Sequence, residues 1–155
     1  MSDASFRGDC GRCAALCCLG LALDRGPHFA IDKPAGEICP HQARDHRCTI
    51  HARLAESGFA GCATYDCLGA GQLATAMFEG LDTSRPAIAR ARLDAFARLT
   101  RLQALRLALD RAGYGVPVPT SYAELLQFDL SALVARARRL AAWQQKAETP
   151  ADTAR

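Results

Sequence analysis

The sequence has no run of 18 apolar residues, so nothing in it is long enough to cross a bilayer as a helix. Lysine occurs only twice, against 17 arginines, and the net formal charge is only +3. So small an excess argues against a nucleic-acid binder that relies on bulk charge. Aromatic residues are 6% of the chain, so the core must be built from aliphatic side chains and from alanine, which occurs 31 times and favours helix. Beyond Cys67 there is neither cysteine nor histidine, which excludes a thiolate or imidazole site there.

The opening residues, Met1 to Asp9, hold acidic side chains and no apolar stretch. The apolar segment from Leu16 to Leu23 contains two cysteines and lacks a basic flank, so it does not read as a secretory leader. The expected location is therefore cytoplasmic, where thiols stay reduced. In that setting a dense cysteine pattern points to metal binding or catalysis. The competing reading is a secreted scaffold of four disulfides.

What is present is concentrated. All eight cysteines fall between Cys10 and Cys67, and all four histidines (His28, His41, His46 and His51) share that stretch. Residues 1–72 carry 7 basic and 8 acidic groups, whereas residues 73–155 carry 12 and 8. At 155 residues the chain is the size of one ordinary domain. The expected organisation is a Cys/His-rich metal-binding module over 1–72 and a helical region over 73–148 packed on it as one compact unit. A frayed tail over 149–155 follows.

The expected fold class is mainly α: a loop-rich cysteine-cluster module followed by a helical hairpin or small bundle. Residues 10–23 suit a helix, or a turn and a helix, with Cys10, Cys13 and Cys17 on one face. Residues 24–47 are rich in Gly, Pro, His and charge and read as loop. Residues 48–58 suggest a short helix closed by Gly58. Residues 59–72 read as loop with one extended segment, and Gly69-x-Gly71 as a flexible exit from the module. Ser84-Arg85-Pro86 reads as a helix start with Ser84 as cap. From there Leu93, Phe96, Leu99, Leu102, Leu105 and Leu109 recur every three or four residues. Gly113, Gly115, Pro117 and Pro119 end that helix. Ser121-Tyr122-Ala123-Glu124 is a capping-box pattern, with a helix to about residue 145 broken near Phe128-Asp129, where Asp129 caps the second segment. The arginines of the first long helix (Arg90, Arg92, Arg98, Arg101, Arg106 and Arg111) are spread around it and read as a solvated surface.

The chemistry lies in the pattern Cys10-x2-Cys13-x3-Cys17-Cys18, Cys39-x8-Cys48-x2-His51, Cys62-x4-Cys67. Thiolates select zinc, Cu(I) or iron–sulfur clusters. Zinc and cluster sites each take about four protein ligands, so eight cysteines fill two four-cysteine sites or one site with spare thiols. Cys17 and Cys18 are adjacent, and in a helix their side chains diverge by about 100°. They do not suit one mononuclear metal together. The spacing is neither a zinc-finger pair nor the ferredoxin run. It therefore indicates a metal without naming it. His51, three residues after Cys48, is a candidate further ligand. Asp66 reads as a turn former or as an acceptor behind the ligands.

These residues carry a resemblance. Cys10-Gly11-x-Cys13, Leu16-Cys17-Cys18, Asp32-Lys33-Pro34-Ala35-Gly36-x-x-Cys39-Pro40, Arg47-Cys48-x-Ile50-His51, Gly58-Phe59-x-Gly61-Cys62 and Asp66-Cys67-x-Gly69-Ala70-Gly71-Gln72 resemble the YkgJ-like, zinc- or iron-chelating Cys-rich domain. The form is that found at the N-terminus of some actinobacterial pentapeptide-repeat proteins, although no five-residue repeats follow in this chain. The resemblance implies bound zinc or an iron–sulfur cluster in the first half of the chain and leaves the metal open.

Three functions compete. One is a metal-binding protein with a redox, sensing or structural role. Another is a cluster- or zinc-dependent modifying enzyme, for which His51, Asp66 and Asp32 are the candidate acids or bases. The third is a regulatory adaptor whose C-terminal helices bind a protein partner. No membrane and no nucleic acid is expected.

Overall fold

The computed structural model describes residues 6–148. The expected frayed tail at 149–155 lies outside the described residues. Six helices carry the fold: α1 (Leu16–Gly20), α2 (Ala60–Thr64), α3 (Ala70–Met77), α4 (Pro86–Arg111), α5 (Tyr122–Gln127) and α6 (Leu130–Glu148). Among the described residues the β structure is two isolated antiparallel bridges, Leu23 with Lys33 and Gln42 with Cys48. The chain is thus mainly helical with a loop-rich first half, the fold class its composition and periodicity imply.

α4 is the spine. Its buried positions are Ala95, Phe96, Leu99, Leu102, Gln103, Arg106 and Leu109, spaced largely by three and four residues. Onto that stripe pack α3, through Ala70 and Ala74, then α5 through Leu125, and α1 through Leu16. The small side chains of α3 let its backbone approach α4 closely. α6 lies against α4 through Leu130, Leu133, Ala137 and Leu140, completing the expected hairpin. A second, much smaller core of Leu23, Ile50 and Phe59 holds the loops between α1 and α2.

The helix ends follow local chemistry. Gly113 takes φ +80 and closes α4 with paired bonds, Tyr114 N–H to the Leu109 carbonyl at 2.9 Å and Gly113 N–H to the Asp110 carbonyl at 2.9 Å. Ser121 Oγ accepts from Glu124 N at 3.2 Å, and Asp129 Oδ1 caps α6 by accepting from Ala132 N at 2.9 Å.

Several local expectations are resolved or corrected. Of the two forms expected for residues 10–23, a single helix or a turn and a helix, the structure has the second. A 3₁₀ turn at Cys10–Arg12 and the short α1 are separated by Ala15 at φ +54, a left-handed residue that redirects the chain. Residues 48–58 form a single 3₁₀ turn at His51–Arg53 and further turns, closed as expected by Gly58 at φ +82. Residues 59–72, read as loop, hold α2 and the start of α3. Their alanines and cysteines are compatible with helix, and the glycines that suggested loop serve close packing instead. Gly69 opens α3 in the left-handed region and Gly71 is buried within it, so this stretch is no flexible exit. Ser84 does not cap α4. It donates its hydroxyl to Asp82, and Arg85 occupies the cap position without a side-chain bond. Arg106, read as solvated, is buried, with Nε donating to the Val116 carbonyl at 2.8 Å and Nη1 donating to Gln103 Oε1. A periodicity argument assigns every arginine to water, whereas this one is supplied with a carbonyl acceptor by the segment after α4.

Candidate metal centre

All eight cysteines line one open cleft of about 1150 Å³ between the N-terminal loops, α1 and α2. Every one is a free thiol, so the four-disulfide arrangement is not what the structure contains. Cys39 is buried, Cys10 is exposed, and the other six are half-buried. Among the described residues no three Cys, His, Asp or Glu side chains stand close enough together to hold one ion as they are placed. The eight cysteines thus border a common cleft without being gathered into a ligand shell.

Local structure explains this arrangement. The N–H of Cys13 bonds to the Cys10 carbonyl at 3.4 Å, so a tight turn carries both thiols. Asp9 accepts from Gly11 N at 2.9 Å and fixes the start of that turn. Cys17 and Cys18 follow in α1, with their sulfurs 4.0 Å apart. Gln42 ties the next two together: its N–H bonds to the Cys39 carbonyl at 2.9 Å, and it forms a bridge with Cys48. Cys62 lies in α2, and Cys67 lies just before α3.

Two glycines make this packing possible. A β-carbon on Gly71 would lie 2.6 Å from the Cys13 sulfur and 3.8 Å from that of Cys67. A β-carbon on Gly61 would collide with the Phe29 ring. Neither role is legible from glycine content, because Gly71 and Cys13, like Gly61 and Phe29, are distant along the chain.

Electrostatics reflect the crowding. Burial raises the thiols of Cys10, Cys13 and Cys62 above the usual thiol range. Nearby thiolates add to this: Cys17, Cys13 and Cys67 for Cys10, and Cys17, Cys39 and Cys48 for Cys62. The Cys17–Cys18 hydrogen bond splits that pair, raising Cys17 and lowering Cys18. Thiolates that oppose one another's ionisation are held together readily by a cation, which deprotonates a coordinating thiol outright. As a donor set, eight reduced thiols on one cleft fit zinc or an iron–sulfur cluster.

The other predicted residues divide. His51 and Asp66 line the same cleft. Asp66 accepts from Leu68 N at 2.8 Å, a turn-forming bond. Asp32 pairs with Arg25 at 3.5 Å on the surface and is not among the residues lining the cleft. His41 also borders the cleft but is edge-on to Phe59, with ring centres 4.9 Å apart.

A residue that the motif reading left without a role is Lys33. It is buried, and its ammonium donates to the carbonyls of Pro34 and Glu37 at 3.0 Å each and of Leu19, in α1, at 3.5 Å. With three donors on three carbonyls, it pins the loop that leads to Cys39 onto the helix that carries Cys17 and Cys18. The signal available beforehand was its rarity in a chain that otherwise uses arginine.

Over 106 residues the chain is 36% identical to the uncharacterized protein YybG of Bacillus subtilis (strain 168), a span that covers 67% of this chain and 38% of that protein. The match thus spans well under half the length of this curated relative. No family model matches the chain, and no solved structure matches it. Among the described residues no helix is long and apolar enough to cross a membrane.

Proposed function

We propose that this is a metal-binding protein of the YkgJ-like Cys-rich type, cytoplasmic, whose cysteines hold zinc or an iron–sulfur cluster. The observation that carries this reading is that eight thiols, spread along the chain from Cys10 to Cys67, all face one cleft. Chance burial of small apolar residues would scatter them through the core instead. A second support is energetic. The loops from 24 to 59 rest on a small buried core of Leu23, Ile50 and Phe59, with Phe29, Ile31, Cys48, Leu54 and Cys62 packed against it. Fixing each backbone residue costs about 1–2 kcal/mol, so a core that small needs a further clamp, and bound metal is a usual one in loop-rich folds.

The ligands are drawn from Cys10, Cys13, Cys17, Cys18, Cys39, Cys48, Cys62 and Cys67, with His51 on the same cleft. Bound zinc supplies a structural clamp with no redox chemistry, whereas a cluster supplies one-electron transfer. The thiols deprotonate to bind, Lys33 holds the backbone that leads to Cys39, Gly71 leaves room for the Cys13 sulfur, and the small core backs Cys48 and Cys62. The C-terminal hairpin packs as scaffold and offers its outer face to a protein partner.

The test is purification under anaerobic conditions, followed by analysis of zinc, iron and acid-labile sulfide per chain. Iron with sulfide assigns a redox or sensing role. Zinc without colour assigns a structural one. A chain isolated with fully reactive thiols and no metal overturns the reading.

A further inference from the structure

We infer that the cleft holds two separate metal centres, one on Cys10, Cys13, Cys17 and Cys67 and the other on Cys18, Cys39, Cys48 and Cys62. This rests on the metal-binding reading above and assigns its ligands.

The grouping follows from which structures bring the thiols together. Cys10 and Cys13 share one hydrogen-bonded turn. Cys13 and Cys67 both lie against Gly71, their sulfurs 2.6 Å and 3.8 Å from where its β-carbon would stand. Cys13, Cys17 and Cys67 all pack on the large helical core around Leu16 and Ala70. Four thiols are thereby joined to one body, the α3–α4 pair.

The other four belong to the second body. Gln42 joins Cys39 to Cys48 through a hydrogen bond and a bridge. Cys48 and Cys62 pack on the small core of Leu23, Ile50 and Phe59. Cys18 borders the same cleft from α1 but, unlike Cys17, is not among the side chains packed on the large helical core, and it is the thiol left to complete this set. The Cys17–Cys18 peptide is then the junction at which one set ends and the other begins. The 4.0 Å between their sulfurs sets the two centres side by side. One metal would tie the N-terminal turn and the Cys67 segment to the helices. The other would clamp loops that the small core alone holds weakly.

The experiment is graded metal removal from the full chain as isolated, using a chelator, with pulsed alkylation and mass mapping of each cysteine. The expected result is release in two blocks of four, Cys10, Cys13, Cys17 and Cys67 together, and Cys18, Cys39, Cys48 and Cys62 together. Cys67→Ser and Cys62→Ser provide the second measurement. Each should halve the metal per chain and expose its own three partners while the other four stay protected. Because graded removal uses the unaltered chain, it decides the matter even where a variant does not fold. Release of all eight in one step, or exposure of Cys39 and Cys48 by Cys67→Ser, overturns the two-centre assignment and leaves metal binding standing. Absence of metal and of any protected thiol in the unaltered chain overturns the underlying reading and this one with it.

Discussion

Gln103 Nε2, in the middle of α4, donates a hydrogen bond of 2.6 Å to the carbonyl of Leu68, the residue after Cys67. Leu68 takes φ +50, a left-handed conformation that a leucine rarely adopts. Its N–H is held by Asp66 and its carbonyl by Gln103, so the backbone beside Cys67 is fixed from both sides. The other end of Gln103 accepts from the buried guanidinium of Arg106. The helical spine thus reaches directly into the cysteine module through one amide side chain.

Gln103→Leu should therefore destabilise the protein by about 2–3 kcal/mol, the cost of leaving a charged donor and a carbonyl without their partner. Arg106 keeps its bond to Val116, which limits the loss. Urea unfolding followed by circular dichroism measures it. An unchanged midpoint would show that Leu68 is held by Asp66 alone.

Gly71→Ala tests the close approach of α3 to Cys13. Alanine improves helix propensity by about 1 kcal/mol over glycine. The new methyl lies 2.6 Å from the Cys13 sulfur, however, and overpacking of this kind costs about 1–3 kcal/mol. The expected result is a lower melting temperature together with reduced metal content. Gly26→Ala, whose β-carbon would stand 3.9 Å from its nearest neighbour, serves as the control and should leave both unchanged.

Lys33→Met keeps the aliphatic stem and removes the ammonium. Three carbonyls lose their donor, and an unsatisfied buried polar group costs about 1–3 kcal/mol. Two of those carbonyls, of Pro34 and Glu37, lie in the turn before Cys39, so thiol reactivity of Cys39 should rise in the same variant. A stability loss without any change at Cys39 would confine the role of Lys33 to α1.

Glu124 predicts an acid-side effect. Its carboxylate accepts from Thr120 N at 2.7 Å and from Thr120 Oγ1 at 3.0 Å, and the Thr120 backbone bond is the main cause that holds it below its ordinary value of 4.5. A group whose folded value is depressed contributes stability that is present above the unfolded value and lost as pH falls through the folded one. The contribution is thus full at neutral pH and disappears on acidification below about 4.5. Glu124→Gln should lower stability at neutral pH and flatten that part of the pH profile, as read from thermal unfolding between neutral and acidic buffers.

The helical half was readable because it is governed by local rules. Periodic apolar residues placed most of the buried face of α4: Phe96, Leu99, Leu102 and Leu109 are buried, whereas Leu93 and Leu105 are half-buried. Glycine and proline ended that helix where φ +80 at Gly113 now closes it. Asp129 was identifiable as a cap because its bond to Ala132 is local in sequence. The cysteine module was less readable. Its glycines suggested loop over 59–72, whereas Gly61 and Gly71 sit in helices and make room for Phe29 and Cys13.

By itself, the sequence determined that the chain is mainly helical, where its long helix lies, and that its thiols are confined to the stretch from Cys10 to Cys67. Those properties depend on residue type and on short spacings. The tertiary structure decided which thiols face one another, that Lys33 and Arg106 are internal, and that Gln103 supports the Cys67 backbone. Each of those joins groups that are distant along the chain, as Gln103 is from Leu68, or turns on acceptors supplied by another segment, as Val116 supplies Arg106. No local propensity encodes such a pairing, because it exists only after the helices have packed.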